Sequence, residues 1–155
     1  MSASIRPAAH SDAPRLAALS TELGYPMTDS EAEARFADLS GHADHTLLVA
    51  DEDGRAVGWI QVSLTRVFEA PTSAEIAGLV VDAGERGRGI GAALVAAAEE
   101  WAAARGCRAL RVRCNVVRER AHAFYRREGF REVKRQLVFE RPISAAAGAR
   151  EPQAP

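Results

Sequence analysis

Residues 85–93 read Glu-Arg-Gly-Arg-Gly-Ile-Gly-Ala-Ala, three residues after the apolar run Ile76–Val81. From Gly89 onward apolar side chains fall at 90, 94, 95, 98 and 101, the spacing of an amphipathic helix that Gly106 ends. The order is therefore strand, glycine-rich turn, helix. The first turn of a helix leaves backbone N–H groups unpaired and carries partial positive charge, so a diphosphate can sit there if no side chain blocks it. Gly87, Gly89 and Gly91 clear that approach, and Arg86 and Arg88 add positive charge. The competing reading is a tight turn with solvated arginines.

Gly87, Gly89 and Ala92 also satisfy the dinucleotide pattern G-x-G-x-x-G/A. The context argues against it. In that fold the first glycine sits at the strand end, whereas here "DAGER" intervenes, and the next strand ends at Asn115 rather than at an acidic residue. A mononucleotide P-loop is excluded because no GK[ST] follows.

Composition narrows the classes further. The 155 residues suit one domain, and 47% apolar with 26% charged residues is ordinary for a globular chain. Lys and Arg number 20 against 21 Asp and Glu, so the basic excess of a nucleic-acid binder is missing. No apolar run approaches the roughly 20 residues of a membrane span, and the N-terminus lacks a signal-peptide core, which points to the cytoplasm. Cys107 and Cys114 lack metal-site spacing and read as small buried thiols in or beside a strand; no metal is expected.

Along the chain, Ser4–Ala8 is a short strand. Ser11 is the expected cap of a first helix ending at Gly24, and Thr28 or Ser30 opens a second that Gly41 closes. "HTLLVAD", "AVGWIQVSLTRVF" and "AEIAGLVVD" read as strands, with "EDGR" a hairpin turn and "EAPTS" a further turn. "CRALRVRCN" is the next strand, 118–128 the last helix, and "FREVKRQLVFERPI" two short strands. Residues 144–155 have the composition of a disordered tail, which leaves 1–143 as the domain. The order β-α-α-β-β-β-α-β-α-β-β implies an α/β (α+β) fold, a mixed sheet with helices on both faces.

Two motifs together resemble the GNAT superfamily of acyl-CoA-dependent N-acyltransferases. Its [Q/R]-x-x-G-x-[G/A] signature is matched by Arg86, Gly89 and Gly91, and its A-x-x-F-Y-x-x-x-G-F block by Ala121, Phe124, Tyr125, Gly129 and Phe130. The resemblance covers Ile5 to about Ile143 and implies a mostly antiparallel central sheet with acetyl-CoA as co-substrate. It further implies that backbone groups of Leu79, Val80 and Val81 pair with the pantetheine arm like an added strand. The amides of Gly87, Arg88, Gly89, Ile90, Gly91 and Ala92 would hold the pyrophosphate, and one N–H near Leu79 or Val80 would stabilise the oxyanion. Glu75 would act as base toward the amine, against a solvated strand-end carboxylate, and Tyr125 as acid toward the departing thiolate.

One position departs from the pattern. Many members carry an asparagine seven residues before the tyrosine; here that residue is Arg118, and Asn115 sits ten before. The arrangement is similar to that of aminoalkylphosphonate N-acetyltransferases. Arg118 is thereby placed to reach a cofactor phosphate, and Asn115 either serves the pantetheine or ends its strand. His122 either lines the acceptor pocket or is an interior histidine. The acceptor wall would come from the first two helices and "RVFEAPTS", with Glu22, Tyr25, Asp29, His45, Arg66, Phe68 and Glu69 as polar or aromatic candidates. A small primary amine ranks first as acceptor, and a protein N-terminus or lysine second. An acyl-CoA sensor without transferase activity is the non-enzymatic alternative, and a homodimer is compatible with all three.

Overall fold

The computed structural model describes residues 2–144, so the expected tail lies, apart from Ser144, outside the described residues. Strand β1 (Ser4–Pro7) leads through a single 3-10 turn into α1 (Ala13–Glu22) and α2 (Asp29–Ser40). Then come β2 (His45–Glu52), β3 (Arg55–Val67), β4 (Ala70–Val81), α3 (Ile90–Ala104), β5 (Leu110–Val112) and α4 (Glu119–Arg127). The five strands form one sheet in the order β1-β2-β3-β4-β5, antiparallel except for the parallel β4–β5 pair. Among the described residues no helix is long and apolar enough to cross a membrane.

The sheet separates two apolar layers. On one face Ile60, Val62, Ala74 and Ile76 meet Ile90, Leu94 and Ala98 of α3. On the other Leu16 of α1 packs with Val49 and Ala56. Asp53 and Gly54, both at positive φ, turn β2 into β3 as a two-residue hairpin. Thr28 and Glu31 form a reciprocal capping box at the start of α2. Gly58 is required by packing: a Cβ there would stand 2.9 Å from the Val80 carbonyl and 3.2 Å from Leu94 Cδ1. Gly58→Ala is expected to destabilise the fold by about 1–3 kcal/mol through overpacking, read as a lower denaturant midpoint at unchanged slope.

Three sequence expectations change. Ser11 does not cap α1: it lies within the 3-10 turn at 10–12, and the helix starts at Ala13 because the neighbouring Asp12 carboxylate is held by Arg6 and the Ala9 N–H. β4 begins at Ala70, inside the stretch expected as a turn, leaving Phe68 and Glu69 to connect two long strands. Residues 130–143 contain no strand, because the segment runs exposed past Phe130 with no backbone ladder to join.

Candidate active site

The site begins with an irregularity in β4. Gln61 opposes Gly78 and Val62 opposes Ile76, which makes Ala77 an extra residue, a β-bulge. On its other side β4 pairs with β5 only through Ala74, Glu75 and Ile76, and β5 stops at Val112. The outer edge of β4 from Ala77 to Val81 therefore has no strand partner among the described residues. This edge carries the backbone of Leu79, Val80 and Val81.

Beyond Val81, Asp82 accepts from the Gly84 N–H at 3.0 Å and closes a 3-10 turn over Ala83–Glu85. Asp82 also forms an ion pair with Arg15 of α1, which donates to the Ala56 carbonyl at 2.9 Å. Hydrogen bonding to Gly84 and Arg15 holds the Asp82 carboxyl below the usual range against the opposing effect of burial. Gly87 and Gly89 both adopt φ of +79°, where a side chain would be strained, and open space surrounds them. The first helical hydrogen bond of α3 runs from Ala93 N–H to Gly89 O at 3.0 Å, which leaves the amides of Ile90, Gly91 and Ala92 without a carbonyl of the helix. A helix start stripped of side chains is what a diphosphate needs, so the residues present fit coenzyme A.

Two members of the glycine-rich stretch have structural duties. The Arg88 guanidinium bridges Glu85 and Glu52, the latter at 2.6 Å, so its charge is compensated within the protein. A Cβ on Gly91 would approach the Phe124 ring to 3.1 Å, so this glycine lets α4 pack on α3. Arg86 makes no ion pair among the described residues.

α4 brings Tyr125 to the apolar cluster beneath β4. Its ring packs edge-on against Phe124 (5.1 Å) and Phe130 (5.4 Å), which fixes it, while its hydroxyl has no protein hydrogen-bond partner among the described residues. Burial, with a smaller contribution from neighbouring Cys114, pushes the phenol well above its ordinary range despite the opposing effect of Arg118. The phenol is therefore protonated and has an unused donor. Burial likewise raises the Cys114 thiol, which is accordingly neutral.

Glu75 lies on the opposite face of β4 from Ile76, beside Ser63, and Ser63 in turn is opposite His45. Three strands thus contribute a polar row on the α1–α2 side. Arg113 approaches the Glu75 carboxylate at 3.2 Å. Arg118 donates to the Tyr25 hydroxyl at 3.1 Å and stands 5.9 Å from the centre of its ring. The described contacts of Asn115 use its backbone carbonyl, which accepts from the Arg118 N–H at 3.0 Å and meets His122 Nε2 at 2.8 Å. Of the acceptor candidates, Arg66 pairs with Asp44 at 3.3 Å, Phe68 is fully exposed, and His45 keeps a buried Nδ1 without a partner.

Sequence reasoning missed Trp59. A Cβ on Gly78 would lie 2.7 Å from its ring, so the indole rests directly on the β4 backbone beside Leu79. The signal was a glycine inside an apolar strand run, which marks close approach of another group.

Comparison with known proteins agrees with this geometry. The chain is 31% identical over 147 residues to an aminoglycoside N(6')-acetyltransferase type 1 of Stenotrophomonas maltophilia, a match covering 92% of this chain and 95% of the relative. The aminoglycoside 6'-N-acetyltransferase AAC(6')-Ig of Acinetobacter haemolyticus superposes with a TM-score of 0.79 at 21% identity, over 91% of this chain and 99% of that one. AAC(6')-Iy, solved in complex with CoA, superposes with a TM-score of 0.77 at 19% identity, over 90% and 100% of the two chains. Residues 13–130, from the start of α1 to the end of the tyrosine block, match the acetyltransferase (GNAT) family. The chain therefore belongs to the GNAT family, as an N-acetyltransferase whose co-substrate is acetyl-CoA.

Proposed function

We propose that the protein moves the acetyl group of acetyl-CoA directly to a primary amine of a small molecule, with both substrates bound together. The observation that carries this reading is the unused hydroxyl of Tyr125, whose ring packs on the same apolar cluster as Leu79 and Val81 of the open β4 edge. In this reading Leu79, Val80 and Val81 bond the pantetheine arm along that edge, and the amides of 87–92 hold the diphosphate. The N–H of Leu79 or Val80 faces the oxygen that becomes anionic when the amine attacks the thioester carbon. Glu75, across the strand, takes a proton through water from the bound ammonium, the main form of an alkylamine at neutral pH, and so frees the lone pair that attacks. Collapse breaks the C–S bond. Tyr125 then donates its O–H to the emerging thiolate; a phenol this reluctant to ionise is a hydrogen-bond donor to sulfur before it is a full proton donor.

The acceptor enters from the α1–α2 side, over the polar row of His45, Ser63 and Glu75. α2 carries Asp29, Glu31, Glu33 and Asp38 against one arginine, and Glu22 closes α1, which suits a cationic amine. Relatives named for aminoglycosides fit that charge. The test is thiol release from acetyl-CoA across a panel of aminoglycosides, polyamines, amino sugars and N-terminal peptides. Release with a small amine is expected, and Glu75→Gln is expected to lower kcat by roughly 10²-fold without abolishing stabilisation by CoA. Thermal stabilisation by CoA with no release from any amine would favour an acyl-CoA-binding role, and transfer confined to peptides would move the acceptor to protein.

A further inference from the structure

A cavity of ≈ 250 Å³ lies between the C-terminal half of α2, the end of β1 and the start of β2. Its sheet wall includes Leu47 of β2 and Gln61 of β3, which are directly opposite each other in the ladder. Leu47 packs on the layer formed by Leu16, Val49 and Ala56, so the cavity lies on the α1 side of the sheet, the side of His45, Ser63 and Glu75. At this size it falls below the ~300 Å³ at which sites for whole small molecules begin, and it suits one end of a ligand.

Its position ties it to the acceptor. Gln61 is two residues before Ser63 on β3, and Ser63 is opposite Glu75, so Gln61 and Glu75 are diagonal neighbours about 7–8 Å apart. His45, at the cavity wall, lies two strands from Glu75, roughly 10 Å at ~4.8 Å per strand. A molecule with its amine at Glu75 therefore reaches the cavity with a group one ring further on.

The lining says what that group is. Among the described residues no Asp, Glu, Lys or Arg lines the cavity, so a second ammonium placed there would lose water and meet no counter-charge. Phe36 and Leu39 supply an apolar wall. The half-buried Gln61 amide offers two donors and two acceptor lone pairs, and it has no protein hydrogen-bond partner among the described residues. Hydroxyl groups, donors and acceptors at once, satisfy such an amide, whereas a wholly apolar end would leave it unpaired. A sugar ring combines both features, hydroxyls at its edge and C–H groups on its faces.

We propose that the cavity is a distal acceptor subsite that takes an uncharged, hydroxyl-bearing ring joined to the amine, with Gln61 as the residue that recognises it. This rests on the acetyl-transfer reading above and narrows its acceptor to amines borne on sugars of two or more rings. Cationic groups elsewhere on the acceptor stay with the acids of α2, none of which lines the cavity.

Thiol release tests this with two amines, 6-amino-6-deoxytrehalose, whose second ring is plain glucose, and methyl 6-amino-6-deoxyglucoside, which lacks that ring. In the wild type kcat/KM is expected to favour the two-ring amine by about tenfold, the worth of one or two neutral hydrogen bonds. The preference is expected to vanish in Gln61→Leu, and also in Leu39→Trp, which fills the cavity from the helix side. Binding supplies a readout that needs no turnover. The chain has three glutamines and one asparagine, so a ¹H–¹⁵N spectrum holds four side-chain amide pairs, and Gln61→Leu identifies the Gln61 pair by its loss. With CoA present, that pair is expected to shift with the two-ring amine and to stay in place with the one-ring amine. Equal kcat/KM for the two amines in the wild type, a preference that survives both substitutions, or a Gln61 pair that responds to both amines or to neither would each overturn the proposal. Absence of turnover with every amine counts against acetyl transfer alone, and the amide shift then decides the subsite.

Discussion

Tyr125→Phe is expected to lower kcat for acetyl transfer by roughly 10²-fold, the lower range for loss of a positioned proton donor, and to leave the acetyl-CoA KM close to wild type. The split follows from the geometry. Phe124 and Phe130 hold the ring, and a phenylalanine keeps both contacts. The hydroxyl has no protein partner among the described residues, so its removal orphans no buried group, and the melting temperature is expected to hold within a few degrees. Steady-state kinetics on the best amine of the panel, with calorimetry beside it, checks both halves. A variant with wild-type kcat would remove Tyr125 from the reaction, and one with a collapsed melting temperature would make its role structural.

Asp12→Asn is expected to cost about 2–3 kcal/mol of stability, the range for a charge-assisted network that loses one partner in a largely buried place. Asp12 is 8% exposed and accepts from Arg6 Nη1 and Nη2 at 2.8 and 2.9 Å and from the Ala9 N–H at 2.7 Å. Arg6 also reaches Asp51 at 2.8 Å, so three segments meet at one guanidinium. The Arg6 hydrogen bond is the main cause of a carboxyl held below its ordinary range, partly opposed by burial. Its contribution is therefore complete above the unfolded carboxyl value, near pH 4, and is lost as pH falls through the lower folded value. Urea midpoints followed downward from pH 5 should fall in the wild type and stay flatter in Asp12→Asn.

The parts of this site that the sequence discloses are those made by local backbone. Glycines at 87 and 89, a helix period from Ile90 and the Phe-Tyr pair at 124–125 all announce themselves within a few residues. What it withholds is partnership over distance. Arg88 reads as a phosphate cation until Glu52, 36 residues earlier, is seen to hold it. The Tyr25–Arg118 contact joins positions 93 apart. The bulge at Ala77 is not located by the sequence either, because the apolar run 76–81 does not alternate and its register against β3 has to be seen. The final segment misleads for the same reason: residues 130–143 have the composition of short strands, but a strand needs a partner, and none pairs with them among the described residues.

The contact of Trp59 with Gly78 also makes the enzyme self-reporting. Only two tryptophans are present. Trp101 sits on the far half of α3 beneath the Arg105 guanidinium, 4.0 Å away. Trp59 lies on the α1 side of the sheet with its indole N–H buried and unbonded, its ring on Gly78, the residue before Leu79. With the acceptor entering over Glu75 as proposed, its arrival is expected to alter what that ring sees, so ultraviolet emission from unlabelled protein would gauge acceptor occupancy before any acetyl group moves.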